Sequence, residues 1–335
     1  MKKIFKSLFS LALALCLMLS LGTAAFADNW DIANGDIAVS ATESGQNVSQ
    51  GTVSKADPGP VISGTSTSNT VTISATENAT ANVTFDNLNI STADNTSSKA
   101  PVSVTGDGNV NIEIDNTNNL NYYDDQKTVA SSHAALEKND DAGSGTLTIT
   151  DKDGDGTLNA IVSKGNSAAI GSSQGKSTSN ITIEGGTINA QVEGNGAAIG
   201  SGGGSDAGAD GIHISGGTVT ATPGETGAAI GSGNSGKYAD DIVISGDATV
   251  VANGIAGAGI GSGAWGESVG TVTISDNAEV TASTQYRGYP FSGYGSAIGA
   301  GNDGNGKNFV LDTSKLTSEG SVTMNYHKYD FEKTY

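Results

Sequence analysis

Cysteine is almost missing from this 335-residue chain; its one copy, Cys16, lies within the first 27 residues. Disulfide staples are thereby excluded, and stability must come from packing and strand pairing. Arginine occurs once, at Arg287, and histidine three times, at His133, His213 and His327. Lys and Arg total 16 against 35 Asp and Glu, a balance that excludes nucleic acid and anionic membrane surfaces as partners. Aromatic residues make up 5 % and proline contributes five residues, whereas glycine contributes 48 with no G-x-y period, which excludes collagen.

The first 27 residues read as an export signal. Lys2, Lys3 and Lys6 precede an apolar run from Leu8 to Leu21, and Ala25-Phe26-Ala27 fits a small-x-small cleavage site. The run is short for a membrane span, and Cys16 follows Leu15 rather than the small residue a lipid anchor needs. Removing three lysines and no acids leaves 13 basic and 35 acidic residues, a net charge of 13 − 35 = −22. The expectation is a secreted protein with no membrane span in the mature chain. An LPxTG-type sorting signal is absent, so any association with a cell wall or host surface is expected to be non-covalent.

From residue 147 onward six segments repeat: TLTIT, NITIEGG, GIHISGG, DIVISGD, TVTISDN and NFVLDTS. Five units carry an AIG-type tract, with Ile170, Ile199, Ile230, Ile260 and Ile298 spaced 29, 31, 30 and 38 apart. Such a period means one repeat per layer of a stacked architecture. Within each unit Leu147/Ile149, Ile181/Ile183, Ile212/Ile214, Ile242/Ile244, Val272/Ile274 and Phe309/Leu311 alternate with polar residues, marking a strand with one buried face. A second run is centred on Ile188, Val219, Val250, Val280 and Leu316, and glycine pairs such as Gly185-Gly186 mark the corner between the two. The third run carries the AIG isoleucine. The pattern predicts an all-β parallel β-helix with about 30 residues and three short strands per coil. The same phase reaches upstream through Ile112/Ile114 and Val83/Phe85, predicting about ten coils and a rod of roughly 45–50 Å. The organisation expected is a signal at 1–27, an N-terminal cap and first strands at 28–60, the solenoid at 61–324 and a C-terminal tail at 325–335.

The stretch TLTITDKDGDGTLNA…SAAIGSS, followed by ITIEGGTINA…GAAIGSG, resembles secreted β-helical carbohydrate-binding-domain-containing proteins of clostridia and related gut Gram-positives, with a pectate-lyase-like fold. The opening NWDIANGDIAVSAT…PVISGTSTSNTVTIS is similar to the start of that domain. The resemblance spans nearly the whole chain after the signal and rests mostly on core and corner positions. It implies right-handed coiling, which the crossover rule also favours, polysaccharide binding and Ca²⁺, but transfers no catalytic motif.

Function is sought where the repeat is broken. Two coils expel long loops between the second and third strands, 121–133 and 283–295. These hold Tyr122 and Tyr123 in one, and Tyr286, Arg287, Tyr289, Phe291 and Tyr294 in the other. Tyrosine presents an apolar face and a polar tip, suited to stacking on sugars, and Arg287 adds fixed donors. Trp265, at a different corner, is a further candidate carbohydrate contact or a lone surface anchor. The third break, Asp151-Lys152-Asp153-Gly154-Asp155-Gly156, adds four residues to a corner. Asp151, Asp153 and Asp155 resemble the start of an EF-hand loop and are candidate Ca²⁺ ligands, although Val162 stands where a bidentate Glu is expected. GNGAAIG at 194–200 lacks the strand-loop-helix context of a dinucleotide site.

A lyase on such a fold needs a base beside cationic groups, and a glycosidase needs converging carboxylates. The outward positions are instead mostly Thr, Asn, His and Val. The expectation is therefore a non-catalytic extracellular binder of plant cell-wall or other polysaccharide. A surface adhesive rod is the alternative, and a lyase or glycoside hydrolase a third.

Overall fold

The computed structural model describes residues 27–93, 99–124, 132–286, 295–306 and 309–328; all but the last residue of the segment 1–27, expected to be an export signal, lies outside them. The strands form three stacked ladders. The first face includes Asn109–Asp115, Leu147–Thr150, Thr178–Ile183, Gly208–Ile214, Tyr238–Ile244, Thr271–Ile274 and Val310–Asp312. The second includes Thr117–Tyr123, Thr157–Ser163, Thr187–Val192, Thr218–Thr222, Thr249–Asn253, Glu279–Tyr286 and Ser321–Lys328. The strand Thr80–Ala93 serves both faces, turning at Asn87 where φ is 54°. The third face stacks nine strands: Ile37–Thr42, Val71–Ala75, Val102–Thr105, Leu136–Lys138, and the two-residue Ile170–Gly171, Ile199–Gly200, Ile230–Gly231, Ile260–Gly261 and Ile298–Gly299.

Neighbouring rungs pair in parallel with like residues in register, as in Ile181↔Ile212↔Ile242↔Val272 and Ala190↔Ala221↔Ala252↔Ala282. The chain is a parallel β-solenoid whose third face advances eight steps, each of 29 to 38 residues. At about 4.8 Å per step the stack spans roughly 38 Å. This is shorter than the ten coils expected, because residues 43–57 do not form a coil. Gly45–Gln50 and Val53–Ala56 fold back antiparallel on the first rung. Leu316 is also displaced from its expected place: it forms only a bridge to Asp276, and Ser321–Lys328 supplies the second-face strand of that rung. The tail boundary therefore moves, since residues 325–328 belong to the stack.

The core follows from period-two alternation. Ile149, Ile183, Ile214, Ile244 and Ile274 form one ladder with no solvent exposure, each stabilising the fold by about 1.5–3 kcal/mol through burial. The first rung is covered at its end by Trp30, whose Nε1 donates to Asp57 (2.9 Å). The backbone N–H groups of Asp28 and Gly59 donate to the same carboxylate, which satisfies a fully buried acid.

The AIG tracts are explained by a glycine ladder. Gly171, Gly200, Gly231, Gly261 and Gly299 have φ between 128° and 136°, and a Cβ on Gly200 would lie 1.8 Å from the Gly231 carbonyl oxygen. The serines that follow form a buried ladder of their own. Ser172, Ser201, Ser232 and Ser262 accept from the N–H groups of Gly202, Gly233, Gly263 and Gly301 one rung on. One rung before Ser172 the pattern changes from Gly-Ser to Glu137-Lys138. Lys138 is 2 % exposed, its Nζ has no hydrogen-bond partner, and Asp140 lies 3.8 Å away. Burial pushes its ammonium below the usual lysine range, against the pull of Asp140.

Two outcomes are expected. Gly200→Ala combines backbone strain with a clash and costs more than about 3 kcal/mol. Gly175→Ala, at φ 71° with nothing within 4 Å of the new Cβ, costs only about 1–2 kcal/mol; urea unfolding of both variants checks the contrast. Lys138→Met should raise Tm, because it removes a buried charge without a hydrogen bond while keeping volume. The lowered folded-state pKa means that the unfolded chain binds the extra proton, so stability rises with pH between that value and the ordinary lysine range. Melting curves across that window should show the rise in the parent and its reduction in Lys138→Met.

Candidate functional site

The two loop-bearing strands, Thr117–Tyr123 and Glu279–Tyr286, both leave the second face for the third, and five rungs separate them. The first of the expected aromatic walls is nonetheless changed. Tyr122 is 1 % exposed and stands in register with Thr92 and Val162. Its ring meets His133 edge-on at 5.7 Å, so it is a core residue and not a ligand contact. The alternation that exposes Tyr123 turns Tyr122 inward. Tyr123 accepts a hydrogen bond from Lys164 Nζ (2.8 Å), which also lies 5.0 Å from its ring centre. Tyr286 ends its strand, while Arg287, Tyr289, Phe291 and Tyr294 lie outside the described residues.

His133 shows how the first loop is anchored. Its Nδ1 lies 2.7 Å from Glu137 Oε2, which also accepts from Ser173 Oγ (2.5 Å) and from the N–H of Ala134. Glu137 replaces the ladder glycine, and these partners compensate its near-complete burial.

The acidic break is rearranged as well. Asp151 accepts the N–H groups of Gly154 and Gly156 (2.8 and 3.1 Å) and closes the loop upon itself. Asp153 and Asp155 are joined instead by Asp115, from the corner one rung earlier, with one oxygen of each within 4.8 Å of the others. Oxygens bound about 2.4 Å from one ion lie within about 4.8 Å of one another, so the trio fits a hard divalent cation, with Asp151 outside the set. Burial pushes the Asp115 carboxyl up, and Asp153, Glu113, Asp155 and Asp86 add to the rise. The signal for Asp115 in the sequence was its place at the same corner one coil before the insertion.

Among the described residues, open hollows lie on the first face, on the second face and at a corner. On the first face, about 370 Å³ is lined by residues including Asn82, Asn111, Glu113, Thr148, Thr150 and Lys152. Burial there opposes ionisation of Glu113, but bonds from Thr150 Oγ1 and from the Lys152 side chain and N–H outweigh it and hold its carboxyl below the usual range. On the second face, a groove of about 240 Å³ is lined by Asn159, Ile161, Asn189, Gln191, Thr220 and Thr222. Asn89, Asn119, Asn159 and Asn189 form a ladder there, the Nδ2 of each of the last three donating to the Oδ1 one rung before. Within the strands around it, the outward residues from Thr117 to Asn253 carry no charge, and Lys164 and Glu193 stand at the strand ends. In the sequence the ladder is written as the recurring T-x-N of TNN, TLN and TIN. At the corner after the third face, about 340 Å³ is lined by Asn166, Gln174, Asn195, Asn234 and Ser235 with Gly203, Gly204 and Ser205. Trp265 lies on this corner, 42 % exposed, with φ 56°, a conformation that costs a bulky residue about 1–2 kcal/mol.

The fold is a parallel β-solenoid, consistent with a structural or binding role. Residues 181–203, 212–234 and 242–264 match the family model of the Beta helix repeat. Comparison with curated proteins and with solved structures finds no match. Among the described residues, no helix is long and apolar enough to cross a membrane.

The acidic corner yields a direct test. Asp115→Asn should raise Tm at neutral pH in chelator, because the raised carboxyl pKa marks stability that is lost as pH rises through it. Calorimetry in chelator, comparing the variant with the parent at acid and neutral pH, checks the sign.

Proposed function

We propose that this chain is a secreted, non-catalytic binder of polysaccharide, with Ca²⁺ held at Asp115, Asp153 and Asp155. The observation that carries the reading is the second-face asparagine ladder. The inner amides, Asn119 and Asn159, each spend one N–H and one oxygen lone pair on their neighbours. A second N–H and lone pair remain per rung, side by side, which suits the vicinal hydroxyls of a sugar. The ladder fixes these groups in orientation before binding, so little side-chain entropy is lost on contact. An uncharged strip on a chain of net charge −19 favours neutral, hydroxyl-rich ligands over polyanions. Glu113, the carboxylate in the first-face groove, is engaged by Thr150 and Lys152, an arrangement suited to orientation rather than to proton transfer. The resemblance to carbohydrate-binding β-helices points the same way.

Two measurements test the reading. Asn119, Asn159 and Asn189 replaced together by Ala should weaken retention on insoluble neutral polysaccharide by about tenfold or more, with the circular dichroism spectrum unchanged. Equal retention by a folded variant removes the ladder from the site, and absence of retention by the parent across a glycan panel removes the function. For the cation, Ca²⁺ should raise Tm of the parent and leave Asp115→Asn unmoved; a parent indifferent to Ca²⁺ contradicts the assignment.

A further inference from the structure

Trp265 combines a left-handed backbone with an exposed ring. Its rank along the corner is Gly175, Gly204, Ser235, Trp265 and Asp303, and all but Gly204 (φ 141°) have φ between 54° and 71°. Small residues, Asn and Asp tolerate this left-handed conformation best, and a large aromatic residue fits it worst. Indole normally offsets such strain by burial, yet this side chain is 42 % exposed. A strained backbone and an exposed ring therefore coincide at one residue, the kind of outlier from which a functional hypothesis is drawn.

The surroundings supply a second, independent feature. Ser235 donates its backbone N–H to Ala264 (2.8 Å), so Trp265 stands one rung beyond Ser235. Ser235 and Asn234 line the end of the 340 Å³ corner hollow. Every residue lining that hollow is Asn, Gln, Ser or Gly. Its amides are held in place: Asn195 Nδ2 donates to Asn166 Oδ1 (2.9 Å), Thr226 Oγ1 to Asn195 Oδ1 (2.6 Å), and Ser235 Oγ to Asn234 Oδ1 (3.0 Å). Asn166 Nδ2 donates to Gln174 Oε1 (3.4 Å). The Nδ2 of Asn234 and the Nε2 of Gln174 remain as donors to a bound molecule. The volume lies within the range of small-molecule sites.

We propose that Trp265 and this amide-lined hollow form a subsite for a neutral pyranose, separate from the second-face ladder. The indole face packs on the apolar C–H face of the sugar ring, while Asn234 and Gln174 donate to hydroxyls of the adjoining unit in the hollow. Fixed donors without a charged partner discriminate against uronates only weakly by attraction, but the acidic chain repels them. The subsite rests on the polysaccharide-binding reading and adds to it a location, a ring platform and a ligand class.

Tryptophan fluorescence tests the assignment, because the chain has two tryptophans and Trp30 is 5 % exposed within the N-terminal cap. Acrylamide quenching therefore reports mainly on Trp265. A panel of neutral gluco-, manno- and xylo-oligosaccharides should include members that shift the emission and shield it from acrylamide, and oligogalacturonides should not. Trp265→Gly should weaken retention on the matching polysaccharide by about tenfold and at the same time raise Tm, since glycine relieves the strain. Gln174→Ala with Asn234→Ala should weaken retention while leaving tryptophan quenching of the free protein unchanged. If the parent retains polysaccharide but Trp265→Gly retains it equally and no oligosaccharide shields Trp265, the subsite is wrong and the ladder reading survives. If the parent retains no polysaccharide, both fall together.

Discussion

Every residue of a parallel solenoid has its counterparts one rung before and one rung after, less than 5 Å away. That constraint governs the molecule. A side chain is acceptable only if it tolerates a near copy of itself on both sides. Isoleucine, valine and alanine meet it by packing, glycine by leaving room, and serine by accepting a backbone N–H from the next rung. Charges meet it poorly. Asp210 is in register with Asp240; burial raises its carboxyl pKa and Asp240 and Asp241 raise it further, the cost expected of like charges placed opposite each other.

The same constraint accounts for the chemistry of the outer surface. Amides carry both donor and acceptor, so a stack of them is self-complementary, as in Asn89, Asn119, Asn159 and Asn189. A stacked fold thus converts repetition into an ordered row of half-used hydrogen-bonding groups without a dedicated binding loop. The functional surface follows from the periodic positions as much as from their interruptions.

The fold was largely legible because burial in a solenoid is written in short-range alternation: Ile181/Ile183 and Ile212/Ile214 are inward in the sequence and in the structure alike. Leu316 misled because an apolar residue at the right spacing was preferred to SVTMN, whose Met324 stays 46 % exposed. The site was less legible because it depends on neighbours 30 to 40 residues away. Asp151 and Asp155 look equivalent in the motif. Only the loop's own N–H groups decide that Asp151 turns inward upon it, while Asp155 joins Asp115. Tyr122 and Tyr123 are adjacent in sequence, and alternation alone sends one to the core and the other to the surface.

The direction of the backbone bonds has a mechanical consequence. Between rungs they run along the rod, so tension applied end to end pulls each one open lengthwise instead of shearing a row together. The stack would yield as a spool does, one turn at a time, each turn releasing about 100 Å of extended chain. A protein built this way resists sideways load through its width and dissipates axial load through its length.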